Sequence, residues 1–397
     1  MIKPQTLKGF RDFLPIEARK RQYVIDTLKK VFESYGFEPL ETPSLEYEEI
    51  LLGKYGDEGD KLMYRFEDNG KRRVALRYDQ TVPLARVVAQ YQNELPMPFK
   101  RYQIQNVWRA ENTQKGRYRE FLQCDADIVG SSSPLSDVET IIVAAKSLEK
   151  LGFKNYKLRV GDRKLFQGIP QAAVTVIDKL KKIGEAKVIT ELKTKGLDGK
   201  IFDKVKKSKP NADIEIILGI LQEMGVADKV YFDPTLARGL DYYTGMIFEI
   251  EIEGYSAGSV CGGGRYDNLI GMFSGKNIPA VGFAFGFDRL IEAMEMLNLF
   301  PKDLQTTKVL VTVFSEELAD NSMQVADELR SKGINTEIYL NAQDKMEKQL
   351  KYADRKQIPY VLIIGPDEAK NNTVTLKNLK TRKQATLKQK DLVSRLV

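Results

Sequence analysis

Apolar and polar positions alternate along this chain in a way that separates a long first part from a short second one. From Phe248 onward Phe, Ile and Ile alternate with Glu249, Glu251 and Glu253, the period of two of a strand with one apolar and one polar face. Carried backwards, that parity puts Tyr243 on the polar face and Tyr242 on the apolar one. In YQIQNVWRAE, Gln105, Arg109 and Glu111 share a face. After a turn around Asn112 to Gly116, YREFLQCDADI puts Gln123, Asp125 and Asp127 on one face and Leu122, Cys124, Ala126 and Ile128 on the other. Val24, Leu28, Val31, Phe32 and Tyr35 fall at helical spacing over 16–35, and Gly36 ends the run. FEPLETPSLE is extended, and Pro39 and Pro43 suit it to a sheet edge or an interface. Asn69-Gly70 between two alternating runs predicts a hairpin. Residues 137–151 read as a helix and KNYKLRVG as a strand, whereas 163–225 is helical, lysine-rich and without a catalytic grouping. PAVGFAFG is an apolar strand leading into a helix with Phe287, Leu290, Ile291, Met294 and Leu297 on one face. Composition changes over Pro301 to Thr307, after which KVLVTVF, INTEIYL, PYVLIIG and NTVTLKNL read as strands and 316–331 and 343–357 as helices, a small α/β unit.

Length and composition narrow the class. A chain of 397 residues exceeds one ordinary core, so two or three domains are expected. No apolar run is long enough to cross a bilayer, and MIKPQTLKGFRDFLP lacks a signal-peptide core, which points to the cytoplasm and away from membranes. Cys124 and Cys261 have no CxxC partner, so neither a disulfide framework nor a zinc site is supported. The net charge of +7 is uneven: residues 370–397 hold eight Lys or Arg against Asp391 alone, and a second lysine-rich stretch runs from Asp178 to Lys209. Such stretches suit a polyanion such as RNA, or are simply solvated faces. Histidine is absent. That excludes a histidine base or metal ligand and leaves carboxylates, arginines, tyrosines and the substrate's own groups to carry any chemistry.

Candidate chemistry collects on the polar strand faces. Arg238 with Tyr243 offers a cation and a hydroxyl-bearing aromatic wall; equally, Arg238 pairs with Asp241 while the tyrosines plug a core. Arg109, Glu111, Arg117 and Arg119 bring both signs to the hairpin, as a zwitterionic and phosphorylated ligand requires. Asp79 precedes a helix with Thr81 in its first turn and reads first as a cap. GSVCGGGRYDNL is neither a P-loop nor a GxGxxG fingerprint; its three glycines serve either close backbone approach or a tight turn. Arg289 lies in the first turn of its helix, where the dipole disfavours a cation and so suggests an anion or acid nearby.

KGFRDFLP, ALRYDQTVPLAR, VWRAENTQKGRYREFLQCDAD, ARGLDYYTG, CGGGRYDNL and VGFAFGFDRL, in this order and over nearly the full length, resemble the histidyl-tRNA synthetase family of class II aminoacyl-tRNA synthetases. Gln123-Cys124-Asp125 and Arg77-Tyr78-Asp79 resemble a subgroup in which Asp stands where other members have Glu. The resemblance implies an α+β catalytic domain over 1–305, built on a six-stranded antiparallel sheet and carrying the helical insertion at about 163–225. It also implies an α/β anticodon-binding domain over 306–397. By resemblance, Asp79 and Thr81 hold the substrate amino group, and Gln123, Asp127, Tyr242, Tyr243 and Tyr266 surround histidine. Arg109 and Arg238 are the catalytic cations on the α-phosphate and substrate carboxylate, and Glu111, Arg117 and Arg289 complete the ATP site with Arg109. ATP is then a substrate, Mg2+ rides on its pyrophosphate, no metal is held by the protein, and the partners are L-histidine, tRNA(His) and a second copy in a homodimer using the Pro43 region. A chain that supplies His-tRNA yet contains no histidine could be made after charged His-tRNA has run out. Three rivals are a synthetase-like regulatory subunit of ATP phosphoribosyltransferase, a class II synthetase for another amino acid, and an RNA-binding module. Retention of Arg238 and of the C-terminal unit disfavours the first, and the accumulation of Arg and Asp on one sheet face disfavours the last.

Overall fold

Pro15 opens the helix Pro15–Ser34, where its missing N–H costs nothing, and Glu17 reaches back to accept from the backbone N–H of Leu14. The helix ends at Gly36, whose φ of 76° is readily accessible to glycine. Its buried stripe, Val24, Leu28 and Phe32, packs on the main sheet of a computed structural model of the chain. The structure describes residues 2–396 except 114–115 and 239–241, and for 56–58 the backbone alone. The chain divides into two units, Met1–Phe300 and Pro301–Val397.

The first unit is organised on eight strands: β1 (Glu38–Pro39), β2 (Phe99–Trp108), β3 (Glu120–Val129), β4 (Tyr156–Asp162), β5 (Val230–Phe232), β6 (Met246–Ile252), β7 (Cys261–Arg265) and β8 (Ala280–Gly286). Their order across the sheet is β1-β2-β3-β8-β7-β6-β4-β5. The six-stranded antiparallel sheet expected from the resemblance is therefore corrected to an eight-stranded mixed one. The six central strands are antiparallel, and β1 and β5 dock in parallel on the two outer edges. Both edge strands are only two or three residues long, too short to show a period, and β1 contains Pro39, a residue suited to an edge.

Leu122, Cys124, Ala126 and Ile128 of β3 do face the core, together with Phe248, Ile250 and Ile252 of β6 and Val281, Phe283 and Phe285 of β8. Helices Pro15–Ser34 and Pro134–Lys150 cover that face with Leu28, Phe32, Ile141 and Leu148. The opposite, polar face carries the site. The hairpin around Asn69-Gly70 is present, Arg65–Glu67 pairing with Arg73–Leu76, and Leu45–Tyr47 adds the third strand of a small sheet.

The stretch 163–225 is helical, but it serves two cores. Helices Gln171–Ile177, Glu185–Thr194 and Lys200–Lys206 build a separate cluster around Val174, Ile177, Leu192 and Phe202. The last helix, Ala212–Leu221, instead sends Ile214, Ile217 and Leu221 into the main core.

In the second unit five strands run in the order Thr336–Ile338, Val309–Val311, Tyr360–Ile363, Thr373–Asn378, Gln384–Lys388; the first three are mutually parallel and the last two antiparallel. Val309 and Val311 pack with Val325 and Leu329 of helix Ala319–Ser331, while Leu310 packs with Ala353 of helix Met346–Arg355 on the other side. Among the described residues no helix is long and apolar enough to cross a membrane.

Candidate active site

Cross-strand register builds the floor. Asp127 on β3 lies opposite Arg101 of β2 and Gly282 of β8, Asp125 opposite Gln103 and Ala284, and Gln123 opposite Gln105 and Gly286. One strand further, Gly262 and Gly264 of β7 stand beside Ala284 and Gly282. Small residues along the middle of a sheet whose flanks carry long polar side chains leave a trough, here a cavity of about 410 Å³. The glycines are required by contact. A Cβ on Gly282 would lie 1.9 Å from Asp127 Oδ1, and one on Gly262 would lie 1.8 Å from Arg238 Nη1. The three-glycine run is thus a central strand rather than a tight turn, and what approaches its backbone at Gly262 is the Arg238 guanidinium.

Three carboxylates line the trough. Asp79 does cap its helix: Oδ1 accepts from the backbone N–H groups of Thr81 and Val82 and from the Tyr55 hydroxyl. Its other oxygen, Oδ2, is buried and has no partner. Asp127 Oδ1 accepts from the Tyr266 hydroxyl at 2.5 Å, and Oδ2 stands 2.7 Å from Arg101 in an ion pair. Asp125, 2% exposed, accepts from Gln123 Nε2 at 2.9 Å, which leaves Asp125 Oδ1 and Gln123 Oε1 buried and unpartnered. Burial raises the titration of Asp79 and Asp127 and pushes Asp125 well above the carboxylate range; the neighbouring Asp127 adds to the last shift, and Arg101 opposes it. Tyr242 stands between the other two phenols, its ring centroid 5.0 Å from Tyr243 and 5.8 Å from Tyr266. Both Tyr242 and Tyr243 line the cavity, so the parity extended back from β6 fails at Tyr242: the strand begins only at Met246.

Cations line the same cavity. Arg109 lies 4.3 Å over the Tyr78 ring and 5.2 Å over Phe121, with Nε donating to the Tyr78 carbonyl. Arg238 pairs with Glu249 at 2.9 Å and its Nε is buried without a partner. Asp241, the alternative partner read from the sequence, lies outside the described residues. Arg117 pairs with Glu111 at 3.3 Å, and Arg289 donates to the Ser259 carbonyl at 2.8 Å. Asp288, the residue before Arg289, bridges Arg11 and Arg21, both at 2.8 Å, and so ties the KGFRDFLP segment to this cavity wall.

The twelve residues given site roles by the resemblance, Asp79, Thr81, Arg109, Glu111, Arg117, Gln123, Asp127, Arg238, Tyr242, Tyr243, Tyr266 and Arg289, line this one cavity, whereas Arg119, the fourth charged residue of the hairpin, is not among its lining residues and donates to the Glu111 carbonyl. Sequence reasoning passed over two others. Asp125 shares a face with Gln123 and Asp127, a pattern already visible in QCDAD. Arg101, fully buried and paired with Asp127, lies on β2 outside every motif read from the sequence. Among the described residues no group of three or more acids or cysteines is placed to hold a metal ion.

Unpaired acceptors and guanidinium groups lining one cavity suit a ligand that presents N–H donors and a polyanion side by side. Residues 9–207 and 199–290 match the family model of histidyl-tRNA synthetase, and 308–397 match that of the anticodon binding domain. A cavity-bearing unit followed by such a domain is the plan of an aminoacyl-tRNA synthetase. The histidine–tRNA ligase of Cytophaga hutchinsonii is 39% identical, with 100% of both chains covered. That of Wolinella succinogenes is 42% identical over 96% of this chain and 94% of its own. The crystal structure of histidyl-tRNA synthetase from a Nostoc species superposes with a TM-score of 0.86 at 32% identity, covering 100% of this chain and 99% of the other. The chain belongs to the histidyl-tRNA synthetase family.

Proposed function

We propose that the cavity activates L-histidine with ATP and that the chain then transfers histidine to the 3′ end of tRNA(His). The observation that carries this reading is the pairing, within one cavity, of buried acceptors lacking partners (Asp79 Oδ2, Gln123 Oε1, Asp125 Oδ1) with the Arg109 and Arg238 guanidinium groups. The ammonium and imidazole N–H groups of histidine supply what the acceptors lack. The phosphates of ATP take the arginines, with Arg117 and Arg289 beside them.

Activation needs no protein base. A carboxylate oxygen of histidine attacks the α-phosphorus in line, the new O–P bond forms, and the bond to pyrophosphate breaks with its electrons leaving on pyrophosphate. Positioning and neutralisation of the charge that develops are the protein's whole task, and Arg109 and Arg238 serve it. In the second step the terminal ribose hydroxyl attacks the acyl carbon, AMP departs, and a phosphate oxygen of the adenylate takes the hydroxyl proton. A chain without histidine is equipped for both steps. Mg2+ bound with ATP would further neutralise the triphosphate.

The same reading places the enzyme in the cytoplasm, where its free, buried Cys124 and Cys261 suit a reducing medium. It also makes a homodimer through the small sheet after Pro43, whose Leu45, Tyr47 and Phe66 leave apolar side chains exposed. The basic C-terminal unit holds tRNA. Charging of a tRNA(His) transcript with labelled histidine tests the transfer half: label should appear on the transcript and be released by mild base. Transcript that stays unlabelled while activation proceeds would remove tRNA from the reading.

A further inference from the structure

Arg238 is held from two directions, and both lead to the helical insertion. Ala237, the residue before it, belongs by sequence to the loop ahead of β6, yet its side chain is 4% exposed and packs into the insertion's own core with Val174, Ile177 and Phe202. The backbone that carries Arg238 is thereby seated on the insertion. On the other side, Arg238 Nη1 donates to Glu249 of β6 at 2.9 Å. Glu249 lies in register with Arg159 of β4, whose guanidinium is 3.5 Å from Glu249 and 3.6 Å from Glu251 and is clamped on Asp233 through Nε at 2.9 Å and Nη2 at 2.7 Å. The insertion grips this ladder directly, since Lys181 forms an ion pair with Glu251. Asp178, an exposed residue just past helix Gln171–Ile177, lies within electrostatic reach of both Glu249 and Arg238.

We propose that the helical insertion is a positioning element for Arg238: its core fixes the backbone through Ala237, and Lys181, Glu251, Arg159 and Glu249 fix the guanidinium. Gly262 leaves the guanidinium one place to lie, and its spare Nε donor is oriented by the same contacts. This rests on the reading above, in which Arg238 neutralises charge on the reacting phosphate. A guanidinium aimed by such a ladder acts when charge develops, so loosening the ladder slows the chemical step and leaves substrate capture intact.

The test compares pyrophosphate exchange by wild type, Arg238→Ala, Glu249→Gln and Lys181→Met, with thermal midpoints measured alongside. Lys181 is half-exposed, so its replacement leaves the fold intact. Glu249→Gln should lower kcat on the order of tenfold to a hundredfold, the loss that follows a misplacement of about 1 Å. Lys181→Met should lower kcat in the same direction by a smaller factor. In both, KM for histidine and for ATP and the thermal midpoint should stay near wild type, which a merely structural role would not produce. If wild type exchanges and Arg238→Ala does not, but Glu249→Gln and Lys181→Met keep wild-type kcat, the positioning role is wrong and the activation reading stands. If wild type itself fails to exchange, the activation reading fails first.

Discussion

Gly282→Ala adds one methyl group to the cavity floor, at a place where neighbours cannot move aside. The new Cβ would lie 1.9 Å from Asp127 Oδ1, 2.4 Å from its Cγ and 2.9 Å from the Ala126 carbonyl oxygen, whereas ordinary contact begins at 3.4 Å. Asp127 would have to retreat by about 1.5 Å. It is pinned on both oxygens, by Tyr266 at 2.5 Å and Arg101 at 2.7 Å, and Arg101 is fully buried, so retreat breaks at least one charge-assisted contact. Overpacking of this kind costs about 1–3 kcal/mol, offset in part by about 0.5–1 kcal/mol from removing a glycine inside a strand. We expect stability to fall by about 1–2 kcal/mol in denaturant titration. Because Asp127 and Tyr266 line the cavity, kcat/KM for histidine should fall roughly tenfold to a hundredfold, about 1.4–2.8 kcal/mol. Gly219→Ala is the control: it lies in helix Ala212–Leu221 with open space around it and should stabilise by about 0.5–1 kcal/mol without touching kinetics. A Gly282→Ala protein with wild-type stability and kcat/KM would refute the view that Asp127 is fixed against a bare floor.

Further outcomes follow from the same contacts. Arg101→Met removes the cation from a buried pair and leaves Asp127 without its main counter-charge, so denaturant titration should show a loss of about 3–5 kcal/mol; a loss under about 1 kcal/mol would mean the pair is idle. Asp125→Asn removes an acceptor and frees the Gln123 amide to turn, so KM for histidine should rise about tenfold while KM for ATP holds. Burial raises the folded titration of Asp125 above its unfolded value, so its contribution to stability is complete at low pH and lost as pH rises through the folded value. Wild type should therefore lose ground to Asp125→Asn in thermal midpoint as pH rises above the ordinary carboxylate range, and the reverse trend would mean the carboxylate is stabilised in its charged form. Because the chain needs no histidine codon, a histidine-depleted translation extract should make it at full length; truncated product would remove the basis for its production during histidine shortage.

Much of this was legible from period and charge. The face shared by Gln123, Asp125 and Asp127 came from alternation alone, because both surfaces of β3 are strongly marked. The N-terminal helix and the Asn69-Gly70 hairpin were legible for the same reason. Glu38–Pro39 lies in the stretch read as extended and suited to a sheet edge, but Val230–Phe232 was not legible, since three residues show no period; the count of six came from the family resemblance, and these two short edge strands make it eight. Gln384–Lys388 is almost wholly exposed, so no apolar alternation marks it. The charge partners within the site were out of reach as well. That Arg238 takes Glu249 as its partner depends on a register between Arg159 and Glu249 that no local signal encodes. Glu249 itself reads as a solvent-facing strand glutamate. The two cores of 163–225 were hidden because amphipathic helices look alike whichever core receives them.

The most direct test of the central claim is pyrophosphate exchange into ATP by the purified chain, without tRNA, with each amino acid supplied in turn. Exchange with histidine alone is the predicted result. It would tie the unpaired acceptors to the substrate and the arginines to the phosphates in one measurement. Absence of exchange with any amino acid while histidine still binds would contradict activation at this cavity and reduce Arg238 and Glu249 to an ordinary structural ion pair.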